Sequence, residues 1–187
     1  MIDKEIIKGC LDNNRDSQKT LYDEFYGKMI GVCMRYSTGE DEAHEMLQEG
    51  FLKVFKNFKN YKESETLELW VKKNVIEGAI KYIRDDKNKK SIVSTVYANK
   101  MGKEKPVEMS DSEIVMEAEQ GDFLNAVQQL SSGYRIVFNL FFMDGYSHAE
   151  IAEMLDISED TSKTNFEKAK YSFRKNLIQH LSSTNGK

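Results

Sequence analysis

Apolar residues recur at helical spacing along most of this chain, and the interruptions between the runs set its organisation. Ile6, Leu11, Leu21, Phe25, Met29, Val32 and Cys33 follow a period near 3.6, with Tyr22 and Tyr26 beside them. Ser37-Thr38-Gly39 breaks that pattern, and Asp41 or Glu42 opens a helix predicted over 42–56. Its apolar side is Ala43, Met46, Leu47, Phe51, Val54 and Phe55, and its other side offers Asp41, Glu45, Gln48 and Glu49. A polar, aromatic-containing loop follows over 57–66, with Phe58, Tyr61, Lys56, Lys59 and Lys62. A further amphipathic helix is predicted over 67–84, carrying Leu67, Trp70, Val71, Val75, Ala79, Ile80 and Ile83. Trp70 fits a core position, and it also fits a surface where rings and lysines receive unstacked bases.

The period is lost after Asp85. Residues 91–121, with Gly102 and Pro106 and an acidic balance, read as a linker. Helices are then predicted over 122–130 and 135–143, joined at Ser131-Ser132-Gly133, and Asp144-Gly145 turns the chain into its most specific stretch. There a short helix from Ser147 puts Ile151, Met154 and Leu155 on one face. Asp156 occupies a turn position suited to a left-handed backbone, Ile157 fills the corner, and Ser158 is placed to cap the next helix. That second helix carries Lys163, Thr164, Asn165, Glu167, Lys168 and Lys170 as a polar set, leaving Phe166, Ala169 and Phe173 for the core. Two helices about so tight a turn, the second polar and partly basic, form a helix-turn-helix of the kind that enters a DNA major groove. The other reading of the stretch is a helical hairpin packed on a core. Residues 183–187 read as a polar tail.

Composition narrows the class. A single proline and 40% hydrophobic residues in 187 suit an all-α chain of one or two small domains. Apolar runs fall short of the roughly 18 residues of a membrane span, and the first ten residues are no signal peptide, so a cytoplasmic protein without membrane insertion is expected. Cys10 and Cys33 lack paired spacing and are expected to be reduced, buried thiols. Net charge is −4, unhelpful for a DNA binder, so the positive charge must act locally. No phosphate-cradling loop, nucleophile elbow or metal-ligand spacing appears, so catalytic residues, metal and cofactor are all expected to be absent.

Both halves together resemble the extracytoplasmic-function (ECF) sigma factors, small sigma-70-type initiation subunits of bacterial RNA polymerase. The resemblance runs from about Ser17 to about Leu177. EAHEMLQEGF stands where that family writes a motif close to DAEDLxQEVF, and LELWVKKNVIEGAIKYIR where it writes FxxWLxxIAxNxAxDxxR. The segment SSGYRIVFNLFFMDGYSHAEIAEMLDISEDTSKTNFEKAK is similar to the family's region 4. The resemblance implies a region 2 bundle over 1–90, an acidic linker over 91–121 and a region 4 helix-turn-helix over 122–182. It implies a non-enzymatic factor whose partners are core RNA polymerase (β′ clamp helices and β flap) and promoter DNA. An anti-sigma factor or a second DNA-bound recruiting partner is compatible with it. Glu42, Glu45, Gln48 and Glu49 match the polymerase-docking face. Lys59, Tyr61, Lys62, Trp70, Lys73, Asn74 and Glu77 match the elements that hold the −10 strand. Lys163, Thr164, Glu167 and Lys168 match those that reach the −35 element.

The chain also departs from the family. Glu77 stands at a usual Asn, Lys81 at a usual Asp, Leu67 at a loop-end Phe, and Ser131 at a common Pro. Lys163, Lys168 and Lys170 stand where Arg is frequent, which removes bidentate guanine contacts. Weak autonomous promoter reading is therefore expected. The alternatives to a sigma factor are a helix-turn-helix regulator on operator DNA and a helical protein-binding adaptor.

Overall fold

The computed structural model describes residues 2–62, 64–85 and 120–184, and among these it is helical without a strand. Two compact units divide the chain, Met1–Asp85 and Asp86–Lys187. The linker expected over 91–121 lies outside the described residues except for Gln120 and Gly121, which open a helix.

The first unit holds α1 (Lys4–Leu11), α2 (Arg15–Tyr36), α3 (Glu40–Asn57), a 3₁₀ turn (Phe58–Asn60) and α4 (Leu67–Asp85). Side chains fix the starts of the helices. Asp3 accepts from the Ile6 amide and Asn14 from the Ser17 amide, each at 2.9 Å. Thr66 Oγ1 accepts from the Leu69 amide at 3.3 Å. Leu21, Met29, Cys33, Tyr36, Ala43, Met46, Leu47, Val54, Ile76 and Ile83 make the core. Leu11, expected inside, is instead exposed at the C-terminal end of α1. Helices α3 and α4 cross with their backbones in contact. A Cβ on Gly78 would lie 2.6 Å from Gly50 Cα, and one on Gly50 would lie 2.9 Å from Val75 Cα. Only glycine at both positions permits so close a crossing. Cys10 and Cys33 are free, buried thiols, and burial pushes their pKa values up to about 11 and about 12.

The second unit holds α5 (Gln120–Gln128), α6 (Ser132–Phe138), a π-helical turn (Asn139–Met143), α7 (His148–Leu155) and α8 (Glu159–Thr184). A helix was expected only from 135, but Ser132 and Gly133 already belong to α6. Arg135, 1% exposed, supplies the reason for the tight α5–α6 corner. Its Nη1 donates to the Gln128 and Leu130 carbonyls at 2.8 and 3.0 Å, satisfying acceptors left by the end of α5. Burial lowers the guanidinium pKa to about 10, so it stays charged at neutral pH. Phe123, Phe138 and Phe173 pack ring on ring, with Phe138 stacked on Phe173 at 5.0 Å. The end of α8 packs Leu177 and Leu181 on Ala126 of α5, and His180 Nε2 pairs with Asp122 at 3.1 Å. Helix α8 thus continues to Thr184, into the segment whose polarity predicts a tail, while residues 185–187 lie outside the described residues.

Candidate partner and nucleic-acid interfaces

The helix-turn-helix is built as its local chemistry dictates. Ser147 and Glu150 form a reciprocal capping box at the start of α7. Asp156 ends that helix at φ 56° and ψ 51°, the left-handed conformation an aspartate tolerates. Ser158 Oγ accepts from the Thr161 amide at 3.0 Å and starts α8. Ile151, Phe166 and Ala169 are buried between the helices. Asn165, grouped by sequence with the exposed polar set, is 2% exposed and belongs to the interior flank of α8.

Lys163, Thr164 and Glu167 are exposed on α8, and Lys168 is half-buried. Their charges are partly committed within the helix. Lys163 pairs with Glu159 at 2.8 Å, and Glu167 pairs with Lys170 at 2.8 Å. The hydrogen bond to Glu159, followed by its Coulomb attraction, raises the Lys163 pKa and lowers that of Glu159. Lys170 also reaches over the Phe166 ring, 5.2 Å from its centroid.

In the first unit the acidic stripe of α3 divides into different roles. The Glu42 carboxylate turns back onto its own helix start, accepting from Thr38 N and Oγ1, both at 2.6 Å. It braces the turn before α3, whose N-cap Gly39 has no side-chain cap hydrogen bond. Glu45 accepts from the Tyr82 hydroxyl of α4, and Glu49 lies 3.6 Å from Lys81 of the same helix. Gln48 is exposed. Leu52, seven residues after Glu45 and so on the same face, is 63% exposed. Periodicity gives Leu52 no place, since it lies off the apolar side of α3. An apolar side chain continuing the face of Glu45, Gln48 and Glu49 pairs apolar and polar character as partner interfaces do.

The residues expected to hold a melted strand also separate by burial. Trp70 is 6% exposed, packed edge-on against Phe58 at 5.4 Å and tilted against Tyr61 at 5.5 Å. Asn74 is 6% exposed, donating to the Trp70 carbonyl and accepting from Asn57 Nδ2, each at 2.9 Å. These two support the surface from beneath. Lys59, Lys62 and Lys73 are exposed, and Tyr61 is half-buried with its hydroxyl donating to the Glu65 carbonyl at 3.2 Å. Glu77 is held by Lys53 of α3 at 2.6 Å, with both side chains about one-third exposed. Its negative charge is therefore compensated locally. Among the described residues no cluster of three or more His, Cys, Asp or Glu is placed to hold a metal. No described helix is long and apolar enough to cross a membrane.

Comparison with known proteins agrees with this geometry. Residues 21–89 match the model of sigma-70 region 2, and residues 120–172 match that of sigma-70 region 4. The ECF RNA polymerase sigma factor SigW of Bacillus subtilis (strain 168) is 24% identical over 182 residues, covering 95% of this chain and 97% of the relative. The sigma factor RpoE of Bartonella quintana, solved in complex with the anti-sigma factor NepR, shares the fold. Its TM-score is 0.53 at 15% identity, over 86% of this chain and 96% of that one. With region 2 and region 4 matched in order on two separate helical units, the chain belongs to the sigma-70 family, in the ECF organisation.

Proposed function

We propose that this protein is a transcription initiation factor that binds core RNA polymerase in the cytoplasm and directs it to promoter DNA. The observation that carries this reading is the ordered pair of sigma regions on two helical units, together with a relative matched end to end. The protein is not an enzyme; it lends promoter choice to one. Docking falls to the exposed face of α3. Glu45, Gln48 and Glu49 share that face with Leu52 and suit a basic helical partner such as the β′ clamp helices. Glu42 supports the face by holding the start of α3.

The −10 surface consists of Tyr61 with Lys59, Lys62 and Lys73. The rings of Phe58 and Trp70 brace Tyr61 for stacking on an unpaired base, and Asn74 holds the Trp70 turn. The −35 surface is the outer side of α8 with Lys163, Thr164, Glu167 and Lys168, the β flap being the expected partner of this unit. Because Lys163 and Lys170 already have carboxylate partners, DNA must compete with those pairs for phosphate contacts, and promoter reading without core enzyme is weak. Run-off transcription from genomic fragments with core polymerase tests this reading. Added protein should yield discrete start sites that core enzyme alone does not use, and an unchanged transcript pattern would overturn it.

A further inference from the structure

The hydroxyl of Ser162 is fully buried near the start of α8. Its Oγ lies 3.0 Å from Nδ1 of His148, the first residue of α7. The imidazole is held on its other sides as well. It stacks on Phe141 of the π-helical turn at 4.2 Å and 12°, and meets Phe166 of α8 at 5.9 Å. Phe141 and Phe166 themselves lie 4.5 Å apart. One ring therefore ties together three elements: the π-helical turn, α7 and α8.

Apolar packing alone is non-directional and leaves a helix some freedom to rotate. A hydrogen bond between a buried hydroxyl and a ring nitrogen is directional and costly to leave unmade. Ser162 immediately precedes Lys163 and Thr164, so turning α8 far enough to break the bond turns those side chains by the same angle. A rotation of about 10° moves a side-chain tip about 6 Å from the helix axis by about 1 Å, enough to lose a base contact.

We propose that His148 and Ser162 form a polar key that sets the rotation of the recognition helix, making them positioning residues for −35 selection that act through α8. The proposal rests on the reading of α8 as the DNA-facing helix. A histidine without metal-ligand spacing and a lone serine carry no motif, and only the fold brings them together across fourteen residues.

The test uses the full chain with core polymerase and a duplex library randomised over the upstream promoter segment, sequencing the transcribed templates. Ser162→Ala removes the hydroxyl. His148→Phe keeps a ring for the stack and removes the nitrogen. His148→Asn places an amide where Nδ1 lies. Helicity and co-elution with core enzyme are measured on each, and if Ser162→Ala melts, the two His148 variants decide. Ser162→Ala and His148→Phe should keep core binding while enrichment of the preferred upstream sequence falls about five- to tenfold. The double variant should be no worse than the poorer single one, because the two residues act as one unit, and His148→Asn should recover most of the enrichment. Unchanged enrichment in the single variants, losses that add in the double variant, or no recovery with asparagine would overturn the key. A wild-type protein that enriches no upstream sequence would overturn the reading of α8 itself, a result distinct from the others.

Discussion

Replacing Glu167 with glutamine tests the proposed −35 surface of α8. Glu167 is the carboxylate on the outer side of α8, 68% exposed, and it holds the 48%-exposed Lys170 at 2.8 Å. An exposed pair three residues apart on a helix stabilises it by about 0.2–0.5 kcal/mol, so the variant should fold and melt almost as the parent does. Its effect on DNA should be larger and of opposite sign. A carboxylate about 4 Å from a phosphate repels it by about 1 kcal/mol in water and more where water is displaced. Removing it also frees Lys170 for a phosphate of its own.

One added phosphate contact steepens the dependence of log K on log salt by about 0.9. At low salt the variant should bind promoter duplex about fivefold more tightly, a gain of about 1 kcal/mol. The advantage should shrink about threefold between roughly 50 and 200 mM salt, and unrelated sequences should gain equally. Equilibrium binding of holoenzyme to matched and scrambled duplexes over that salt range measures both quantities. Weaker binding confined to one base pair would refute the reasoning, because Glu167 would then be accepting a hydrogen bond from a cytosine amino group.

Other consequences follow from packing and charge. Gly78→Ala should destabilise the first unit by about 1–3 kcal/mol despite alanine's better helix propensity, since the new methyl would meet Gly50 backbone at 2.6 Å; an unchanged or higher melting temperature would contradict the close α3–α4 crossing. Lys163→Ala should weaken −35 binding by about 1–3 kcal/mol at one base position if the residue reads a base, or weaken all sequences alike with a flatter salt slope if it contacts phosphate; full retention of both would exclude it from the interface. The Cys33 thiol, its pKa pushed from 9.0 to about 12 by burial, should be inert to thiol reagents in the folded protein. Because that folded pKa exceeds the unfolded one, its contribution to stability is complete below pH 9 and is lost as the pH rises towards 12, which alkaline melting curves would show.

The parts of this fold that sequence made legible are those governed by local rules. The turn at Asp156, the cap at Ser158 and the burial of Ile151, Phe166 and Ala169 all follow from spacing and short-range chemistry. The rest depends on contacts between distant residues. Periodicity gave Trp70 a face but not a neighbour, and the Phe58 and Tyr61 rings that enclose it come from the preceding loop. Asn165 reads as surface by polarity and Asn74 as a DNA-holding position by resemblance, yet Asn74 is hydrogen-bonded inside the first unit and Asn165 packs within the second. Nothing local marks Arg135 as the buried donor that closes α5, since arginine is seldom fully buried unless paired. Gly50 and Gly78 gave no turn signal because their role is the helix crossing. On the candidate surfaces, sequence proposed a docking stripe but could not show that Glu42 hydrogen-bonds back to Thr38, nor that Lys53 and Lys170 neutralise Glu77 and Glu167.

The central claim is that the α3 face docks this protein on core RNA polymerase. Co-elution of the full chain with core enzyme, compared with the double variant Glu45→Lys with Glu49→Lys, tests it most directly. Both carboxylates lie on the α3 face outside the core, and their α4 partners Tyr82 and Lys81 are half-buried and exposed, so the variant should keep its helicity. The parent should co-elute at low salt and the variant should not. Equal retention of a folded variant, or no retention of the parent, would contradict the account.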